Sequence, residues 1–314
     1  MVRPGWAIGN VAQCWTYGGA SVEFKEFFID PDGVELSVQK LPLAVCFPGL
    51  GARCPDFSAD VRRVATEPFV LVVPSRPKGL WWFIDDTSKY GWIQGSVCHN
   101  VVQLYEQWIC SLADRKEIDS GRVGIFGHSA GAYAALEVLM ASKMSFSGVG
   151  LSGVHGHGQW DCREIPEHLH QEAQSKFSDF LGRVTEHPGA GFIHATHAVM
   201  DQHCSWKDAT LIWDALDVGQ RHHRGEKVIT RPLISPEDLD VVPTKRRNKM
   251  WHDYFNKAFC RSEFLRRLLG GKHLYDLPYQ PATKKERWRP TSSSNKRKEK
   301  KGRRERQARQ HDDD

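Results

Sequence analysis

Between Ile125 and Tyr133 the chain reads I-F-G-H-S-A-G-A-Y, and Gly127, Ser129 and Gly131 within it form G-x-S-x-G. A serine hydroxyl attacks an acyl carbon only when a base takes its proton and donors stabilise the oxyanion that forms. The five-residue pattern is common by itself, so its flanks must give it meaning. Val123-Gly124-Ile125-Phe126 reads as a short buried strand, and a helix is expected from Ala130 to Ala132 onward. Chain reversal over so few residues leaves no room for side chains beside the serine, and Gly127, Ala130 and Gly131 supply that space. The Ala130 N–H then falls at a helix N-terminus, where it can face a developing negative charge. A second such donor is expected from the loop F-P-G-L-G-A-R at 47–53, at Leu50 or Gly51.

The elements that must position these groups are legible as periodic runs. Residues 41–51 and 69–77 are continuous apolar stretches ending in Gly or Pro, as buried strands are. Further strands are expected over 121–127, 146–154, 191–200 and 226–233. Helical spacing appears over 98–116, 130–143, 207–218 and 251–269, and a helical stretch lies inside 155–190. Residues 22–40 read as a hairpin about Asp30-Pro31-Asp32-Gly33, while residues 1–21 are Gly-rich and give no clear period. Alternating strands and helices predict an α/β fold of about eight mostly parallel strands, helices on both faces, and antiparallel edge strands from the hairpin.

Composition agrees with a packed body. The chain has 314 residues, 40% of them apolar, with eleven tryptophans. Its net charge of +5 is uneven. Residues 283–314 hold thirteen Lys or Arg against six Asp or Glu, a net of +7 that leaves about −2 for the rest. The basic tail, with clusters between 284 and 309, buries too little to offset its ordering entropy and is expected to be disordered. Such a tail suits an import receptor, nucleic acid or an anionic membrane. The eight cysteines are scattered, without C-x-x-C pairs or Cys/His ladders, so reduced thiols and no metal site are expected. No phosphate-cradling or dinucleotide fingerprint calls for a cofactor. Residues 1–15 lack the pattern of a secretory signal and no run is long enough to span a membrane, which points to a cytoplasmic chain, or a nuclear one through the tail.

These residues resemble the α/β-hydrolase superfamily. The resemblance is carried by GHSAG (127–131), LAVCFPGLG (43–51) and VLVVPSRP (70–77), and by the strand-helix order from about 22 to 270. It is nearest to the esterase, dienelactone-hydrolase-like and prolyl-oligopeptidase-like branches, with Pro48 where a histidine is usual before the oxyanion glycine. It implies a domain over 22–280 after an N-terminal segment 1–21, a helical insertion or cap over 155–190, and a separate tail over 281–314.

The resemblance also implies a chain order of serine, acid, histidine. Asp201, after the strand ending near Met200, takes the acid position ahead of Asp208 and Asp240. His252, opening the C-terminal helix, takes the histidine position; His155 and His157 precede the acid and break the order. Ser129, Asp201 and His252 would form a triad acting on carboxylic esters or thioesters through an acyl-enzyme. A small-peptide peptidase and a non-catalytic binding protein of the same fold are the alternatives. Trp81, Trp82 and Trp92, in a loop above the sheet, and Trp160 in the insertion are expected either to wall the substrate pocket or to pack loops onto the body.

Overall fold

The computed structural model describes residues 8–30, 40–50, 65, 67–158, 165–199, 201, 204–224, 229–230, 233–234 and 257–270. Strands β1 (Ile8–Tyr17), β2 (Ala20–Ile29), β3 (Leu41–Phe47), β4 (Phe69–Pro74), β5 (Ile118–His128), β6 (Gly148–Ser152), β7 (Ile193–Ala198), β8 (Ile229–Thr230) and β9 (Leu233–Ile234) form one sheet. Their order is β1-β2-β4-β3-β5-β6-β7-β8, with β9 also paired to β7. Of the strand expected over 226–233, the described residues are Ile229, Thr230 and Leu233, and all three lie in strands beside β7. From β4 to the far edge every pairing is parallel, and β1 and β2 add the antiparallel edge.

The opening hairpin turns earlier than the sequence pattern suggested. β1 pairs with β2 around Gly18-Gly19, whose φ angles of 57° and 83° suit a two-residue turn only glycine enters freely. The sheet therefore begins ahead of the expected domain start at residue 22. Residues 31–39, which carry the turn expected at Asp30–Gly33 and most of its second arm, lie outside the described residues.

Helices cover both faces because the central strands are apolar on both. β3, β4, β6 and β7 are buried at every position. Alternation along them divides the side chains between two cores. Leu43, Val45, Phe47, Val70, Val72, Val123 and Ile125 meet one helical layer. That layer contains α2 (His99–Ala113), α3 (Ala130–Ala141), α4 (His170–Thr185) and α5 (Trp206–Arg224). Ala44, Cys46, Phe69, Leu71, Val73 and Phe126 face the other way, against Phe264, Leu265 and Leu268 of α6 (Lys257–Leu268). A four-residue helical turn, α1 (Gly91–Gln94), sits in the loop after β4.

Within the expected insertion over 155–190 lies α4. Parallel neighbours β6 and β7 require a crossover, and α4 supplies it. Phe180 and Val184 enter the main core, whereas Ala173 and the preceding Leu169 pack with Ile93 of α1. Residues 281–314, and with them the basic tail, lie outside the described residues. No described helix is long and apolar enough to cross a membrane.

Phe264 is the largest fully buried side chain among the described residues of α6, and its ring centre lies 5.7 Å from that of Phe126. Phe264→Ala should cost about 3–5 kcal/mol through the cavity it leaves. Urea unfolding checks this, and a loss below about 1 kcal/mol would show that α6 does not hold that face.

Candidate active site

Ser129 stands where β5 ends and α3 begins. Its backbone has φ 56° and ψ −127°, a conformation that costs a non-glycine residue on the order of 1–3 kcal/mol. It is partly exposed although His128 and Ala130 beside it are buried. Packing enforces the turn. A methyl group added at Gly127 would stand 2.1 Å from the Gly131 carbonyl oxygen, and one added at Gly131 would stand 2.2 Å from that of Phe47. Only hydrogen fits at either position, so β3, β5 and α3 meet backbone to backbone.

Ser152, at the end of β6, holds the elbow from the other side. Its carbonyl accepts the Ser129 N–H at 2.8 Å, and its Oγ lies 3.1 Å from Nδ1 of the buried His128. The Ser129 carbonyl in turn accepts the N–H of Ala132 at 2.8 Å and starts the helix. Ala130 is the first residue of α3, where an N–H has no acceptor within the helix. The role of Ser152 is absent from the sequence pattern, because it arises from a parallel pairing of His128 with Ser152 across β5 and β6.

The loop after β3 passes directly over the serine. A methyl group at Gly49 would lie 3.3 Å from Ser129 Cβ and 3.2 Å from the His128 carbonyl oxygen. Leu50 is half-buried and packs against the main core. Gly51, the other expected donor, lies outside the described residues.

Asp201 follows β7 at the same carboxyl edge of the sheet. Register places His128, Ser152 and Thr196 side by side on β5, β6 and β7, so Ser129 and Asp201 leave strands two places apart. The Asp201 N–H bonds back to Ala198 at 3.0 Å, and its side chain is fully buried. Its carboxylate accepts the Cys204 N–H at 3.2 Å and lies 3.8 Å from Nε2 of His197, which is itself 3.0 Å from the Cys204 carbonyl oxygen. The rival Asp208 sits in the first turn of α5. Asp240 and His252 lie outside the described residues.

No family model and no curated protein matches the chain. Solved structures do. A thermostable esterase superposes with a TM-score of 0.51 at 16% identity over 83% of this chain and 62% of its own. The acylaminoacyl peptidase of Pyrococcus horikoshii gives 0.53 at 13% over 89% and 44%. The dipeptidyl peptidase 4 of Porphyromonas gingivalis gives 0.52 at 12% over 86% and 36%. The chain has the α/β-hydrolase fold. It spans less than two thirds of the length of the esterase and less than half that of the two peptidases.

An α/β-hydrolase fold builds its site from loops above the strand ends, and here tryptophans join them. Trp92 is buried; its indole N–H donates to the Gly156 carbonyl at 2.6 Å, and its ring lies edge-on to Tyr133 and His155. The Gly158 N–H returns a bond to the Trp92 carbonyl at 3.1 Å. Trp82 is buried too and donates from Nε1 to the Pro48 carbonyl at 3.2 Å. Both therefore fasten loops onto the body. Trp81 is half-buried, with its ring centre 5.7 Å from that of Trp92, and Trp160 lies outside the described residues. Beneath them the buried carboxylate of Glu137 on α3 receives both terminal nitrogens of Arg183 on α4, at 2.7 and 2.8 Å.

A cleft of about 630 Å³ opens at the other end of the sheet, lined by Cys110, Ser120, Met144 and Ser147 among others. It lies at the amino ends of β5 and β6, away from Ser129, whereas open α/β sheets place their chemistry at the carboxyl ends. Burial and the neighbouring Glu106 push the Cys110 thiol up to about 12, so it is held unreactive.

His157, in the loop tied to Trp92, is 7% exposed and lies 3.0 Å from the Gly95 carbonyl oxygen. Burial holds its imidazole neutral and depresses its pKa; the Gly95 contact opposes this, and nearby Lys176 adds to it. As pH falls from about 7.5 toward 5.5, the unfolded chain takes up this proton first, so acid lowers stability. His157→Gln should flatten the fall in Tm across that window. An unchanged slope in a pH series of melting curves would show that His157 does not carry it.

Proposed function

We propose that the chain is a serine hydrolase that cleaves carboxylic esters or thioesters through an acyl-enzyme on Ser129. The observation that carries this reading is the elbow. A half-exposed serine occupies backbone that glycine would favour, at a helix N-terminus, with Gly49 so near that a methyl group there would touch its Cβ. A packing role calls for no hydroxyl there and would be met at lower cost by glycine.

In this reading His252 takes the Ser129 proton as Oγ bonds to the acyl carbon. The oxyanion settles between the N–H groups of Ala130 and of Leu50 or Gly51. His252 passes the proton to the departing alcohol or thiol, and water then attacks the acyl-enzyme by the same route. Asp201 holds the imidazole in the tautomer this requires. Its support is its place after β7 at the edge where Ser129 emerges, with a buried carboxylate held by the Cys204 N–H. The peptidase and binding-protein alternatives share this fold and are separated by measurement.

A fluorophosphonate probe should label the wild-type chain and leave Ser129→Ala unlabelled. On an activated short-chain ester Ser129→Ala and His252→Ala should each lower kcat by roughly 10⁴-fold or more, and Asp201→Asn by about as much. Labelling that persists in Ser129→Ala would falsify the nucleophile assignment. A parallel panel of esters, thioesters and aminoacyl amides reads out the leaving group, and faster turnover of the amides would favour the peptidase.

A further inference from the structure

Trp82 occupies a turn that does not suit it. The Trp81 N–H donates to the Ile84 carbonyl at 2.9 Å and the Ile84 N–H donates back at 3.1 Å, closing a tight turn over Trp82-Phe83. Trp82 takes φ 53°, the left-handed region that glycine enters freely and a bulky side chain enters at a cost. Among the described residues only Trp82 and Ser129 combine a positive φ with a side chain. Strain of this kind persists where surrounding contacts over-determine it.

The contacts that hold Trp82 converge on the loop over the serine. Its indole is 1% exposed and lies edge-on to Phe47, 5.3 Å between ring centres, with Phe83 and Tyr105 at 6.1 and 6.2 Å. Phe47 is the last residue of β3, and the Pro48 carbonyl that follows accepts the indole N–H. A trans peptide is planar, so its carbonyl and the next N–H point in opposite directions. Turning the Pro48 carbonyl toward Trp82 therefore sets the plane of the Pro48–Gly49 peptide, and so anchors the point at Gly49 from which the loop continues to Leu50. That same peptide adjoins the elbow, because the space a side chain at Gly131 would fill is bounded by the Pro48 carbonyl oxygen at 2.6 Å.

We infer that Trp82 is a positioning residue for the oxyanion loop: its indole N–H anchors the Pro48–Gly49 peptide, the base from which the loop carries the Leu50 backbone toward the acyl oxygen on Ser129. This rests on the hydrolase reading above and adds a residue that touches neither substrate nor nucleophile. Losing an oxyanion donor outright costs about 10²–10³-fold in kcat. Loosening one that stays in place should cost less, about tenfold, with KM changed by less than about twofold.

The test compares Trp82→Phe, which keeps an aromatic ring and loses the N–H, with Trp108→Phe, which trims a fully buried indole of α2. Trp82→Phe should lower kcat and the rate of fluorophosphonate labelling by the same factor, with KM nearly unchanged. Trp108→Phe should lower Tm alone. Amide hydrogen exchange on the full chain supplies a readout without substrate: the peptide covering 41–50 should exchange faster in Trp82→Phe. If that variant does not fold, 3-benzothienylalanine at position 82 replaces the indole nitrogen by sulfur and keeps the shape. Wild-type kcat and labelling in the donor-less variant, or unchanged exchange over 41–50, would overturn the inference. So would an equal loss of kcat in Trp108→Phe. Failure of the wild-type chain to label at Ser129 would instead sink the hydrolase reading, while the exchange measurement still decides whether Trp82 clamps the loop.

Discussion

The meeting of three backbones at Gly127 and Gly131 is the constraint on which the site depends. Neither position has space for one further carbon atom. β3, β5 and α3 can therefore approach until the Phe47 and Pro48 carbonyls lie against the first turn of α3. Such contact is rigid, because packed backbone has no rotamers through which to relax. It forces Ser129 out of the sheet and draws the loop after β3 across it. Around it, α2, α3, α4 and α5 pack one face of the sheet and α6 packs the other.

Loops above the strand ends are tied to this junction by directional bonds between indoles and carbonyls. Trp82 joins the loop after β4 to the loop after β3, and Trp92 joins it to the loop after β6. A tryptophan can fill apolar space and still present one donor at its rim. Each of these bonds therefore adds orientation to burial. Glu137 and Arg183 act in the same way one layer down, where a buried carboxylate is tolerated because a guanidinium meets both its oxygens. Helix α3, which begins at the elbow, and helix α4, which crosses from β6 to β7, are held in one relative position by it.

Much of this was legible in the sequence. Strands buried on both faces leave continuous apolar runs, and β3, β4, β5, β6 and β7 all follow such runs. The G-x-S-x-G pattern fell between a strand and a helix as read, because its glycines answer a local steric demand. The run over 191–200 likewise holds β7, which ends ahead of Asp201. What escaped is of another kind. β1 carries an exposed, polar-rich face, so its pattern is weak, and the Asp-Pro-Asp-Gly turn drew attention from the Gly18-Gly19 turn that pairs it. The crossover role of α4 depends on which strands are neighbours. The Ser152 and Trp82 contacts join residues 23 to 34 positions apart and have no local signature.

The φ of Ser129 has an evolutionary side. Drift that favours stability alone would carry position 129 toward glycine, since glycine relieves that angle and the site already excludes bulk on either side. Under the proposed hydrolase function, a lineage that had lost the reaction would feel no opposing pressure there. Serine at this angle is therefore a marker that decays once activity is dispensable, and it decays faster than the buried core, whose residues the fold itself continues to require.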